Sequence, residues 1–316
     1  MKQNLFVRRN NERWGIFVSH CASKKMDLPA DFAKQYRQIC NDLAIARTRQ
    51  YSPSLVEKLN RLVRLGQSRL YQGEGIKFRT LISLFQQTFM TSLHENRFFL
   101  WAAFASFWGL AVISYTWVVV DPTSVHYFLD LGSIKSIEAM YDPAGSVQSD
   151  SRAVSSDVLM FGVYIYNNIG IAFQMFAGGA LLCIGALLPL LFNSFYFGAV
   201  SAHIVNSGYQ DPFFSFVITH GSFELTAIII AGAAGGKIGY SLLNPGKFAR
   251  SQAIRLAGKS VLPLIVGAFL MLILAAIIEA FWSPLAIPSF FKYITGVICW
   301  GYLLTHLYKG TRYGHY

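Results

Sequence analysis

Apolar and polar positions divide the chain into two unlike parts. Up to residue 97, apolar side chains recur at helical spacing between charged ones; beyond it they come in long unbroken runs. In the first part, Leu28 to Arg49 repeats apolar residues every three or four positions, and Asn10 or Asn11 is placed to cap a helix running through Trp14 and Phe17. Ser52-Pro53 reads as a helix cap followed by proline at the first helical position, with Leu55, Leu59, Leu62, Val63 and Leu70 next in phase. The stretch 76–95 places Phe78, Leu81, Ile82, Phe85, Phe89 and Leu93 on one face and Lys77, Arg79, Ser83, Gln86 and Gln87 on the other. That division suits a helix lying in a membrane interface, or equally one packed within the N-terminal domain.

The run Phe98 to Val120 has 23 residues and no charge, enough to cross a bilayer, which takes roughly 20. Further apolar runs cover 158–206, 213–242, 260–282 and 290–308. The first of these, at 49 residues, is too long for one crossing. Gly178, Gly179, Gly185 and Pro189 are its breakers, so it divides into spans 158–184 and 188–206 with a turn near Gly185 to Leu190, or into one span and a re-entrant segment. The pattern predicts an all-α protein. A basic helical domain, 1–97, precedes a transmembrane bundle, 98–316, of about six helices.

Composition supports the membrane assignment. Only 14% of residues are charged, against 53% hydrophobic, where soluble domains carry about 25% charged. Charge then orients the spans. Residues 1–97 hold 17 of the 27 basic and seven of the 16 acidic residues, a net of +10. The segment 121–157 has Asp121, Asp130, Glu138, Asp142, Asp150 and Asp157 against Lys135 and Arg152, whereas 243–259 has four basic residues and no acid. With Lys309 and Arg312 after the last run, the positive-inside rule places both termini in the cytoplasm and 121–157 outside, and six spans satisfy every placement. The basic excess is spread out and carries no nucleic-acid motif, so its expected partner is the anionic leaflet of the bilayer.

Cys21, Cys40, Cys183 and Cys299 form no CxxC pair or metal spacing, which points to reduced structural thiols. No metal or cofactor motif and no nucleophile elbow is present, and HGSFE at 220–224 is not HExxH. The chain is read as a non-enzyme.

Polar residues inside the runs are the candidate chemistry. They include Asn167, Asn168, His220, Glu224 and Glu279, with Gln174, Asn193 and His203. His220 and Glu224 lie four apart, hence on one helix face, where they can partner each other. Glu279, Asn167 and Asn168 fall at similar depth toward the outer boundary. Two readings stand: a hydrogen-bonded knot between helices, or an outward-facing site for a cation, proton or headgroup. Gly178, Gly179, Gly232, Gly235 and Gly236 read as close helix packing.

The blocks YIYNNIGIAFQMFAGG, LLFNSFYFGAV, HGSFELTAIIIAGAAGGKIG, NPGKFARSQA and IEAFWSP occur in that order. They resemble the stage II sporulation protein M family, matching its motif residues at Asn167, Asn168, His220, Gly221, Glu224, Asn244, Pro245, Gly246 and Glu279. DLAIARTRQYSPSLVEKLNRLVRLGQSRLY resembles the N-terminal extension of Gram-negative members, a departure from the short sporulation member. The resemblance implies a bacterial inner-membrane protein that anchors envelope or peptidoglycan-remodelling partners. It further implies genomic company with a MoxR-type AAA+ ATPase and von Willebrand factor A-like proteins. Three functions are expected in consequence. The first is a membrane scaffold, which a homo-oligomer would also suit. The second is a transporter, channel or lipid-handling protein using the polar cluster. The third and weakest is an embedded hydrolase.

Overall fold

The computed structural model describes residues 2–22, 29–71, 78–142 and 154–313. Lys77, at the head of the amphipathic stretch, and Asp150 and Arg152 of the acidic segment lie outside them. Among the described residues all regular structure is helical, and the chain forms two compact units, Met1–Ile82 and Ser83–Tyr316.

The first unit is built from α1 (Gln3–Ala22), α2 (Phe32–Thr48) and α3 (Pro53–Tyr71). Pro53 opens α3, where its missing N–H costs nothing. Phe6, Trp14, Phe17, Phe32, Ile39, Leu55, Leu59 and Leu62 make its core. Buried Asp42 accepts from Trp14 Nε1 at 2.8 Å and from Arg13 at 2.5 Å, which ties α2 to α1. The expected cap at Asn10 or Asn11 does not occur. The α1 helix starts seven residues before Asn10, whose Nδ2 donates to Phe6 O at 3.0 Å within the helix. Burial of Phe6 explains the earlier start, because it extends the apolar face of Trp14 and Phe17 by two turns.

The second unit begins within α4 (Phe78–Glu95). Phe89, Met90 and Leu93 of this helix are buried in the same core as α5, α9 and α10, whereas Leu81 and Ile82 stay exposed. Asn96 Nδ2 donates to Ser260 O at 3.3 Å, and the Ser92 hydroxyl reaches the same carbonyl. The unit boundary therefore falls inside this helix, and its second half belongs to the bundle.

The bundle comprises α5 (Arg97–Val120), α6 (Leu131–Tyr141), α7 (Val154–Gly178), α8 (Ile184–Asn206), α9 (Gln210–Leu243), α10 (Arg250–Ile277) and α11 (Ser289–Tyr313). A 3₁₀ turn, Pro122–Tyr127, precedes α6, and a single π turn, Ile278–Trp282, continues α10. Long α9 is central, with α5, α7, α8, α10 and α11 packed around it. The acidic segment is a folded cap over part of its length. Asp121 accepts from Thr123 N, Asp130 accepts from Gly132 N and Ser133 N, and Glu138 pairs with His203 of α8 at 2.9 Å.

Three boundaries differ from expectation. The 158–206 run makes two helices, but the turn lies at 179–183, before Gly185, with Leu182 and Cys183 at positive φ. Gly178 and Gly185 pack backbone to backbone across it, and Pro189 is absorbed inside α8. Second, α10 starts at Arg250, ten residues before its apolar run, because Arg250, Arg255 and Lys259 extend the helix beyond it. Third, among the described residues five helices are long and apolar enough to cross a membrane: α5, α7, α8, α9 and α10 with its π turn. The expected sixth, α11, is long enough at 25 residues, but Lys292, Thr295, His306 and Lys309 dilute its apolar character.

Small residues let these helices touch. A Cβ on Gly179 would overlap the backbone of Gly235, and one on Gly235 would overlap Met175 O and the Ala186 methyl. Gly232 faces Leu190, whereas Gly236 has ordinary room. Gly198 lies against Ala111 and Ser114 of α5 in the same manner. With no hydrophobic force between helices in lipid, such backbone approach is a main source of cohesion.

Candidate functional site

Antiparallel packing of α9 and α10 brings the start of one helix beside the end of the other. His220 lies ten residues into α9 and Glu224 fourteen, so they stand about 15 and 21 Å along its axis. Glu279 comes from the π turn at the end of α10. One ligand atom of each residue lies within 4.8 Å of the other two; His220 is buried and both glutamates are half-buried.

The hydrogen bonding defines the π turn. The Ser283 N–H reaches back five residues to Ile278 O at 2.8 Å, and one inserted residue rotates the side chains downstream of it by about 100°. Such single-turn bulges are rare and are frequent at functional sites. Ser283, at its end, is buried and meets His220 Nδ1 through Oγ at 3.0 Å. The Lys292 ammonium of α11 donates to Ser283 O at 2.8 Å, and Thr219 Oγ1 donates to Lys292 O at 3.4 Å. Three elements are thus joined around the imidazole. Two polar atoms of the π turn, Glu279 Oε2 and Trp282 Nε1, are buried without a hydrogen-bond partner among the described residues. An orphaned buried carboxylate oxygen is costly unless something else meets it.

Aromatic rings lead from His220 toward α6. Phe216 packs edge-on to His220 at 5.3 Å between ring centroids, and Tyr141, at the end of α6, meets Phe216 at 6.2 Å and Phe213 at 5.1 Å. Burial, and after it the nearby Glu279 charge, pushes the Tyr141 hydroxyl above its usual range. Tyr141 is therefore within electrostatic reach of the cluster.

The structure thus brings together His220, Glu224 and Glu279. The expected direct pairing of His220 with Glu224 gives way to Ser283 as the hydrogen-bond partner of Nδ1. Asn168 is buried in α7, but Asn167 is exposed; the two amides meet each other at 3.4 Å. Gln174, one heptad beyond Asn167, is exposed too. Asn193 donates to Pro189 O at 2.7 Å within α8. Sequence reasoning does not single out Ser283, Trp282, Lys292 or Tyr141. The signal present for the first two is IEAFWSP, a motif that places a carboxylate, an indole and a hydroxyl within five residues at the end of an apolar run.

The fold and this cluster define a class: a polytopic helical membrane protein with a buried polar site between its central helices. A family model, stage II sporulation protein M, matches residues 97–284, so the chain belongs to that family. A second model, a domain of unknown function (DUF8413), matches residues 4–72, the α1–α3 unit. No curated protein and no solved structure matches the chain.

Proposed function

We propose that the protein is a cation-binding membrane protein of transporter or channel type, whose site is His220, Glu224 and Glu279, reached from the outer side. The orphaned Glu279 Oε2 carries this reading, because a hydrogen-bonded packing knot leaves no buried carboxylate oxygen unmet. Intramembrane carboxylates face a bundle interior or a water-filled cavity and mark substrate or ion pathways. A helix broken by a π turn beside them suits such a role. In a cysteine-free background, Glu279→Cys should react with a small cationic methanethiosulfonate added from outside. An anionic analogue should react more slowly, because Glu224 remains. No reaction with either, in protein that still elutes as a single species, would contradict an outward-facing site.

A second reading, a scaffold for envelope partners, is favoured by the separate α1–α3 unit with its own core. A MoxR-type ATPase or von Willebrand factor A-like proteins would be its partners.

The topology that accompanies the first reading has six crossings, including α11, with both termini in the cytoplasm of a bacterial inner membrane. The charge asymmetry between 121–157 and 243–259 supports it. Single cysteines at exposed Ser136 and Ser251 should then be labelled from opposite faces, outside and inside respectively. A C-terminal green fluorescent protein fusion should fluoresce, as it does only in the cytoplasm. Labelling of both serine positions from one side, or a dark fusion at normal abundance, would overturn this topology.

A further inference from the structure

We propose that the His220/Glu224/Glu279 cluster is a site for a first-row divalent transition metal of the zinc, cobalt or manganese kind. The inference rests on the cation-site reading above and narrows its ligand class. The donor set is one imidazole and two carboxylates, and no cysteine belongs to it. Imidazole with carboxylate suits borderline divalent ions, while the lack of thiolate argues against monovalent copper. Calcium takes six to eight oxygens, and magnesium keeps most of its waters, so neither suits three side chains with one imidazole among them, packed against Phe216.

Charge leads to the same class. Two carboxylates and one divalent ion sum to zero, the favoured state in a low-dielectric bundle, whereas a monovalent ion leaves a net negative charge there. Geometry is compatible. Adjacent ligand atoms on a tetrahedral zinc lie about 3.4 Å apart, so a cluster now within 4.8 Å needs only modest side-chain adjustment. Three protein ligands leave a fourth position open, the arrangement of sites that exchange or activate a ligand, unlike closed structural sites.

The surroundings resemble a metal's outer shell. Metal-bound histidines almost always commit the second ring nitrogen to a hydrogen bond that fixes the ring. Here Ser283 meets Nδ1 at 3.0 Å, which leaves Nε2 as the nitrogen for the metal. Ser283 is itself held by Lys292 through its carbonyl. The Lys292 charge is directed at that backbone oxygen, and across α11 the Tyr293 hydroxyl and Ser289 bond to Asp211 of α9 at 3.0 and 2.9 Å. The free Glu279 Oε2 is the donor atom that a metal would satisfy.

The test uses the full chain, purified in detergent and stripped with a chelator, then titrated with cobalt(II). Wild type should develop visible d–d absorption that saturates at one ion per chain and bleaches when zinc is added. Glu279→Gln should lose the signal. Ser283→Ala should keep it but bind roughly 10- to 100-fold more weakly, as expected for an outer-shell group. His126→Ala, at an exposed position, should bind as wild type. Zinc should raise the melting temperature of wild type and not that of Glu279→Gln, with both eluting as single species. Absence of stoichiometric cobalt absorption in wild type, or its persistence in Glu279→Gln, overturns the metal assignment. If cobalt fails to bind while Glu279→Cys still reacts preferentially with the cationic reagent from outside, the metal assignment alone falls. If both fail, the cation site falls with it.

Discussion

Glu224→Gln is expected to abolish function while the protein accumulates in the membrane at its normal level. Glutamine keeps the size of the side chain and most of its hydrogen-bonding capacity but removes the charge. Glu224 sits within 4.8 Å of His220 and Glu279, so that charge acts on whatever the cluster holds. Glu224→Leu is expected to behave differently. It removes a polar group from a half-buried cluster whose other members stay, and an unmet buried polar group costs about 1–3 kcal/mol. Its abundance should therefore fall as well. Complementation of a deletion strain, with membrane abundance read by immunoblot, separates the two outcomes. Full complementation by Glu224→Gln at normal abundance would return the cluster to a packing role.

Gly235→Leu is expected to prevent assembly of the bundle. Gly235 faces the backbone of Gly179, the carbonyl of Met175 and the methyl of Ala186, and backbone has no rotamer with which to move aside. Even Gly235→Ala should cost about 3 kcal/mol, the upper end for overpacking a well-filled interior. The contrast lies on the open faces of the bundle. At Gly170 and Gly301 nothing approaches an added Cβ, so alanine there should be neutral or stabilising by up to about 1 kcal/mol, the helix-propensity difference. Thermal unfolding of the purified variants, followed by size-exclusion chromatography, measures all four. Equal melting temperatures for Gly235→Ala and Gly170→Ala would contradict the packing described for α7, α8 and α9.

The helical membrane class and most helix positions are legible in the sequence because a bilayer imposes length and continuous apolarity, both visible in one dimension. The parts that are not legible depend on tertiary contact. The α7–α8 turn is misplaced from sequence because Pro189 and Gly185 look like breakers. Yet proline is tolerated inside transmembrane helices, and Gly185 is needed for its approach to Gly178. The length of α11 hides its weak apolar character. In the site, His220 and Glu224 are visible from their spacing on one helix, and Glu279 from its depth. The π turn is not visible, and Glu279 and Trp282 lie within it while Ser283 follows at its end. Asn167 illustrates the converse. Its neighbour Asn168 takes the buried position, and helix phase carries Asn167 to the outside.

The most direct test of the central claim is an experimental structure of the full chain in a lipid nanodisc, at a resolution that shows bound ions. Density is expected between His220, Glu224 and Glu279, within bonding distance of the Glu279 oxygen that has no hydrogen-bond partner among the described residues. Direct hydrogen bonds among these three side chains, or apolar packing that closes the space between them, would contradict that claim.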